Sequence, residues 1–208
     1  VQGIVMAGLD TTFHVLLWNI LNLAQYPAAQ EALRQEVHQV LGPEAHFSRE
    51  KLSEMPYLKA VMRESQRYTP AAPILTFRFL DEDLALCGYN IPAKTRIVMS
   101  VEAIQKDPRI VDDPHVFRPE RFLADAVEAR KGDPLKSILD HKLLGTPFSF
   151  GARMCLGARL ADVEIMTLLS KFTSKFKFEL TDKNQTWSKT LRTMSIPDPI
   201  PQVTFTPL

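Results

Sequence analysis

Phe148-Ser149-Phe150-Gly151-Ala152-Arg153-Met154-Cys155-Leu156-Gly157 is the stretch on which the reading of this chain turns. It sets one cysteine where an amphipathic pattern is about to begin, with a glycine on each side and an arginine two positions upstream. A cysteine at a helix N-terminus can be a thiolate, because unpaired amides and the helix dipole stabilise negative charge there. Gly151 and Gly157 carry no side chains, so a large flat ligand can lie against the backbone. Arg153 offers a fixed fork of donors to a carboxylate on that ligand. A thiolate, a flat face and a carboxylate clamp together describe a seat for haem, and ligation through sulfur favours cleavage of an O–O bond. On these residues alone, a packed cysteine in a glycine-containing turn is the alternative.

The pattern Phe-x-x-Gly-x-Arg-x-Cys-x-Gly, filled by Phe148, Gly151, Arg153, Cys155 and Gly157, resembles the haem-binding loop of the cytochrome P-450 family, the haem-thiolate monooxygenases. The resemblance implies heme b, iron protoporphyrin IX, bound through Cys155 as the iron ligand, with Arg153 on a propionate. It also implies a fold that is mainly α with small β-sheets, the C-terminal portion of the cytochrome P-450 fold.

A second element of the family stands upstream. The pattern predicts a helix over 57–68 with Leu58, Val61, Met62 and Ser65 on one stripe, and Glu64 and Arg67 three apart on another. Such a pair is ordinarily a surface ion pair of small value. Glu-x-x-Arg resembles the family element that locks onto an arginine in a later Pro-Glu-Arg-Phe segment, here Pro119-Glu120-Arg121-Phe122. The resemblance makes Glu64, Arg67 and Arg121 a buried ion network that fixes the cysteine loop without taking part in chemistry. Losing one member of such a trio costs roughly 3–5 kcal/mol.

Farther upstream, 1–25 is apolar around most of its circumference. That length raises the question of a membrane span. Asp10, His14, Asn19 and Asn22 oppose it, so a long helix buried in a large protein is expected. Ala7-Gly8-Leu9-Asp10-Thr11-Thr12 is similar to the family's oxygen-side hexapeptide. Ala7 and Gly8 would leave room for dioxygen. Splitting an O–O bond needs protons, so the resemblance makes Thr11 the hydroxyl and Asp10 the acid that manage them. Threonine hydroxyls at these positions could instead bond back to the preceding turn.

Pro27 closes the first helix, and a second amphipathic helix with Leu33, Val37, Val40 and Leu41 on one face ends at Gly42-Pro43. Runs at 74–79, 84–87 and 96–99 read as hairpin strands, with Cys87 a packed apolar residue in one of them. Arg78 resembles a family arginine that reaches a haem propionate from this sheet; a solvated strand arginine is the other reading. Residues 123–146 read as a polar surface meander. After Cys155 a helix to about Phe172 should face Leu156, Leu160, Val163, Met166 and Leu169 inward, and the proline-rich tail should end in a strand or loop.

Composition sets bounds on the remainder. With 45% hydrophobic and 24% charged residues and a formal net charge of +1, the 208-residue chain resembles an ordinary globular protein with a sizeable core, and nothing supports nucleic-acid binding. The two cysteines make no disulfide framework, and a reducing compartment follows. The five histidines show no metal-ligand spacing and read as surface or packing residues. Starting at Val1 inside an apolar segment, the chain reads as a fragment, 1–208 being one partial domain whose N-terminal half, with any membrane anchor, is absent.

The segments expected to line a substrate pocket are the first helix, 71–76 and 193–196, with Ala7, Ala72, Ile74, Leu75 and Met194 as candidate contacts. Their apolar character suggests a lipophilic substrate such as a sterol, fatty acid or xenobiotic, beside dioxygen. Lys59 and Arg63, four apart, resemble the basic pair with which mitochondrial-type members engage an acidic ferredoxin. Microsomal members, served by a flavoprotein reductase, often carry the second base too, and Ala158 replaces the basic residue common after the loop's last glycine. The resemblance thus implies an electron-donor protein and a place at the mitochondrial inner membrane or the endoplasmic reticulum membrane. Two alternatives stand beside the monooxygenase: a haem-thiolate isomerase or dehydratase acting on a peroxide, and a non-catalytic truncated piece without haem.

Overall fold

The computed structural model describes residues 2–42, 47–141, 147–149, 151–192 and 194–208. These residues are mainly helical, with four small two-stranded sheets among them. Helix α1 spans Gln2–Gln25, α2 Pro27–Leu41, α3 Arg49–Ser53 and α4 Pro56–Tyr68. Tyr26 separates α1 from α2, and Pro27 takes the first helical position, where its missing N–H is no loss. Gly42 ends α2 at φ +69°, a left-handed conformation that favours glycine.

The polar residues of α1 explain why it suits a protein interior. Asn22 is buried and donates from Nδ2 to Ser65 Oγ at 3.1 Å and Thr69 Oγ1 at 2.9 Å, tying α1 to α4. Trp18, also buried, donates from Nε1 to the Ser195 carbonyl at 2.9 Å. Among the described residues, no helix is long and apolar enough to cross a membrane.

The main core gathers Leu23, Leu33, Val37, Leu52, Met55, Leu58, Val61, Leu169 and Phe178 from α1 to α4, the long helix after the cysteine and the strand that follows it. Two side chains carry the polar seams of that core. Gln30 bonds the Leu23 carbonyl and both backbone groups of Phe178, and Arg34 donates to the carbonyls of Thr173 and Phe176. Glu36 caps α4, accepting from the backbone N–H groups of Tyr57 at 2.7 Å and Leu58 at 2.8 Å.

Strand β1 (Ile74–Phe79) pairs antiparallel with β4 (Arg96–Ser100), and β2 (Leu84–Leu86) with β3 (Tyr89–Ile91). The expected strand at 84–87 stops at Leu86. Cys87 (φ +50°) and Gly88 (φ +83°) form the two-residue turn, because a hairpin this tight needs positive φ at both central positions. Cys87 is therefore exposed, not a packed strand residue. Helix α5 (Val101–Gln105) follows, then a 3₁₀ turn at Pro119–Phe122, helix α6 (Ala124–Arg130) and a second 3₁₀ turn at Lys136–Asp140.

The described part of 123–146 is thus more ordered than a meander. Arg130 grips Asp140 with two bonds of 2.9 Å, and Leu139 packs with Ile110 and Val111 in a small core of its own. Helix α7 spans Ala158–Lys175, followed by β5 (Phe176–Leu180), β6 (Ser188–Leu191), β7 (Ser195–Asp198) and β8 (Val203–Pro207). β5 pairs with β8 and β6 with β7, both antiparallel.

Candidate functional site

Cys155 lies in the loop that feeds α7, two residues before its N-cap, Gly157. The loop is shaped by its own backbone: Cys155 N–H donates to the Phe148 carbonyl at 2.9 Å and Met154 N–H to the Gly151 carbonyl at 3.1 Å. Gly151 (φ +72°) turns the chain into the short 3₁₀ segment Gly151–Arg153. Gly157, the N-cap of the 18-residue α7, has no side chain with which to cap it, and the positive end of the helix lies beside the cysteine. A Cβ on Gly157 would stand 3.9 Å from Cys155 Sγ. Phe150 lies outside the described residues.

The whole loop faces outward: Cys155 and Arg153 are exposed, and so are Met154 and Leu156. This corrects the first two positions of the expected inward face, while Leu169 is buried and Met166 packs on the main core as expected. Leu156 precedes α7 and is 90% exposed, and Leu160 in its first turn is 65% exposed; the buried positions are Ile165, Leu169, Ser170 and Thr173. An exposed sulfur, a glycine beside it and flanking apolar side chains suit a flat thiolate-bound ligand. Val5, Met6, Leu9 and Phe13 add an exposed apolar face on α1, which packs against α7. The donor set and the clear space beside the sulfur fit a haem.

Glu64 and Arg67 are fully buried, and Arg121 nearly so. Arg67 Nε and Nη2 each reach a Glu64 oxygen at 2.8 Å, and Arg121 Nε reaches Oε1 at 3.1 Å. One carboxylate cannot neutralise two guanidiniums, and backbone carbonyls complete the set: Gln105, Pro114 and Val116 for Arg67; Asp112, Asp113 and Val116 for Arg121. Burial pulls the Arg121 guanidinium below its ordinary range, with Glu64 opposing that shift. The trio therefore gathers 105–121 around the C-terminal half of α4.

On α1, Thr11 Oγ1 donates to the Ala7 carbonyl at 2.7 Å, the back-bonded arrangement. Asp10, Thr11 and Ala7 are all exposed. Asp10 has a partner that sequence reading missed: His14 Nδ1 donates to the Asp10 carbonyl at 2.7 Å and stands 3.4 Å from Asp10 Oδ1. The i, i+4 spacing was the available signal.

Side chains of α1, α4, α7 and the start of the cysteine loop line one cavity of about 410 Å³, among them Val15, Met62, Ala72, Phe148, Ile165 and Met166. Cys155 does not line it; Lys59, Arg63 and Asp162 do. Burial pushes the Asp162 carboxyl above its usual range. Lys59 is exposed and donates to the Ser53 carbonyl at 2.5 Å. Arg63 lies 4.3 Å over the Phe122 ring and 3.6 Å from Asp140, and burial lowers its pKa. Asp140, 77 positions later, left no local signal.

The remaining expected contacts scatter. Ile74 is exposed on β1, and the Leu75 side chain and Thr193 lie outside the described residues. Met194 is buried against Trp18, Leu21 and Ala71, a packing position. Arg78 is exposed, donating to the neighbouring Phe77 carbonyl at 3.0 Å.

The sequence profile of the family Cytochrome P450 matches residues 1–205. The mitochondrial sterol 26-hydroxylase of Homo sapiens is 30% identical over 94% of this chain and 35% of its own length. The mitochondrial 1,25-dihydroxyvitamin D(3) 24-hydroxylase of Rattus norvegicus is 35% identical over 85% of the chain and 32% of its own length. Cytochrome P450 71A8 of Mentha piperita is 36% identical over 84% of the chain and 33% of its own length. The chain spans about a third of the length of these curated relatives, less than the half that the order of motifs suggested.

Proposed function

Since this chain belongs to the cytochrome P450 family, we propose that it carries the haem-thiolate and oxygen-side segments of a monooxygenase that acts on a lipophilic organic substrate. The observation that carries the reading is Cys155, an exposed thiol at the N-terminus of α7 with Gly157 beside it. Residues 1–208 belong to one domain of that family in this reading, and the activity is that of the complete domain.

When bound through sulfur, haem supplies the redox chemistry that activates dioxygen and delivers one of its atoms to an organic molecule. Cys155 would hold it through sulfur from the loop that feeds α7. Arg153, exposed in the same loop, is the propionate donor, and Arg78 serves that end only by swinging off the Phe77 carbonyl. Thr11 presents a hydroxyl one residue after the Asp10 carboxylate. Released from the Ala7 carbonyl, that hydroxyl can pass a proton inward, with Asp10 replenishing it. Glu64, Arg67 and Arg121 take no part in the chemistry and hold 105–121 against α4.

Lys59 and Arg63 are the proposed contact for an electron-donor protein, ferredoxin-type or flavoprotein reductase. The names of the sterol and vitamin D relatives support a mitochondrial setting and a sterol-like substrate. An endoplasmic reticulum setting is the alternative. Thr11 favours oxygen insertion over peroxide rearrangement, because rearrangement needs no delivered proton.

The test is a reduced carbon monoxide difference spectrum after reconstitution with hemin. The protein should show the far-red Soret band of thiolate ligation, and Cys155→Ala should abolish it. A Cys155→Ala variant that retained the band would overturn the assignment.

A further inference from the structure

A second groove, of about 420 Å³ and with no cysteine-loop residue in its lining, lies between α1, the end of α4, helix α5 and the start of β6. Trp18, Tyr68, Trp187, Lys106, Lys189 and His115 stand along it. Glu102 is four residues before Lys106 on the same helical stretch, the spacing at which the two would ordinarily pair. Here Glu102 binds Lys189 instead. The Lys106 ammonium donates to the Tyr68 carbonyl at 2.7 Å and lies 4.5 Å above the Tyr68 ring. Among the described residues no carboxylate is within ion-pair distance of it, while the buried Arg67 guanidinium stands behind it.

We propose that Lys106 is a covalent modification site, an amine in the Trp187 groove that accepts acyl groups from acyl thioesters. The neutral Nζ attacks the thioester carbonyl carbon; an amide C–N bond forms as the C–S bond breaks, and the leaving thiolate takes up the proton shed by nitrogen. No oxidant or reductant is required. The ring-lined groove receives the acyl chain, and the amine at its wall needs no general base, because its environment already disfavours the charged form.

Burial is the main cause, followed by the Arg67 charge, and together they lower the Lys106 pKa to about 8. Glu102 and Glu64 oppose the shift and Lys189 adds to it. His115 and the Tyr68 phenol, whose pKa burial raises, are the other titratable groups of the groove. At pH 8 about half of Lys106 is then the nucleophilic free amine, against well under one hundredth of an ordinary lysine with a pKa of about 10.4. The lower basicity takes back part of that gain, and a net acylation rate about tenfold above an exposed lysine is expected.

The native chain is incubated with acetyl coenzyme A at pH 8, and acetylation is followed at each lysine by peptide mass spectrometry, with Lys106→Arg identifying the adduct. Lys106 should react about tenfold faster than the exposed Lys183, with a rate that reaches half its maximum near pH 8. In the urea-unfolded chain the preference should vanish. Equal rates at Lys106 and Lys183 in the native chain overturn the proposal, and so does a preference that survives unfolding, since it would then belong to local sequence and not to the groove.

Discussion

Arg121 places its Nε 3.1 Å from Glu64 Oε1, the same oxygen that accepts the backbone N–H of Arg118 at 2.8 Å. A single carboxylate thus orders a guanidinium, a backbone turn and, through its other contacts, Arg67. Glu64→Ala would leave two buried cations with carbonyl partners alone. Its expected cost is about 3–5 kcal/mol. A urea denaturation midpoint within error of the parent would show that the trio is not a keystone of the fold.

Gln30 offers a second stability test, independent of the first. Its side chain both donates to the Phe178 carbonyl, at 2.7 Å, and accepts the Phe178 N–H, at 3.1 Å, inside the main core. Gln30→Ala strands both backbone groups of β5. A loss of about 1–3 kcal/mol is expected from calorimetry or denaturant titration. Gln30→Glu keeps the acceptor and loses the donor, so it should also destabilise.

Thr11 is tested by how much product each consumed oxygen yields. Thr11→Val preserves shape on an exposed face of α1 and removes the hydroxyl. Product formation by the complete enzyme should fall by on the order of 10²-fold, while reductant consumption continues. Unchanged product per oxygen would assign the hydroxyl a purely local role, bonding the Ala7 carbonyl.

A pH test comes from Asp107. The Arg109 side chain, then the Arg109 backbone N–H, hold its carboxyl down to about 2, below its ordinary value of 3.8. A depressed folded-state pKa contributes stability that is present above the unfolded value and lost as pH falls through the folded one. The Tm advantage of the parent over Asp107→Ala should therefore be constant above pH 5 and shrink between about 3.8 and about 2. A gap that persisted below pH 2 would assign the effect to packing.

The sequence carried local signals well. The helix that becomes α4 was visible from Leu58, Val61 and Ser65, and Glu64 and Arg67 at i, i+3 were visible as a pair. It carried poorly whatever depends on distant partners. Asp140 on Arg63, Ser195 on Trp18 and Lys189 on Glu102 join positions 77, 177 and 87 residues apart, and no periodicity encodes them. The inward assignment of Leu156 and Leu160 failed for a different reason. Apolar spacing marks a face that seeks cover, and here it finds cover only toward its C-terminal end, at Met166 and Leu169. Cys87 shows the third kind of miss, a turn hidden inside an apolar run, with Gly88 as the clue.

Each of the eight described strands has a neighbour on one side only. No further described strand pairs on the other side, which is a template for strand addition by another chain except where Gln30 and Arg34 bond β5 and the Ala71 carbonyl bonds β7. Proline or lysine guards several of these edges: Lys177 on β5, Lys189 on β6, Pro197 on β7 and Pro207 on β8. The β1–β4 pair has neither, and it shows Phe77, Phe79, Val98 and Met99 to solvent. Self-association of concentrated protein should nucleate at that ribbon, and a lysine placed there is the substitution that would keep the isolated chain dispersed.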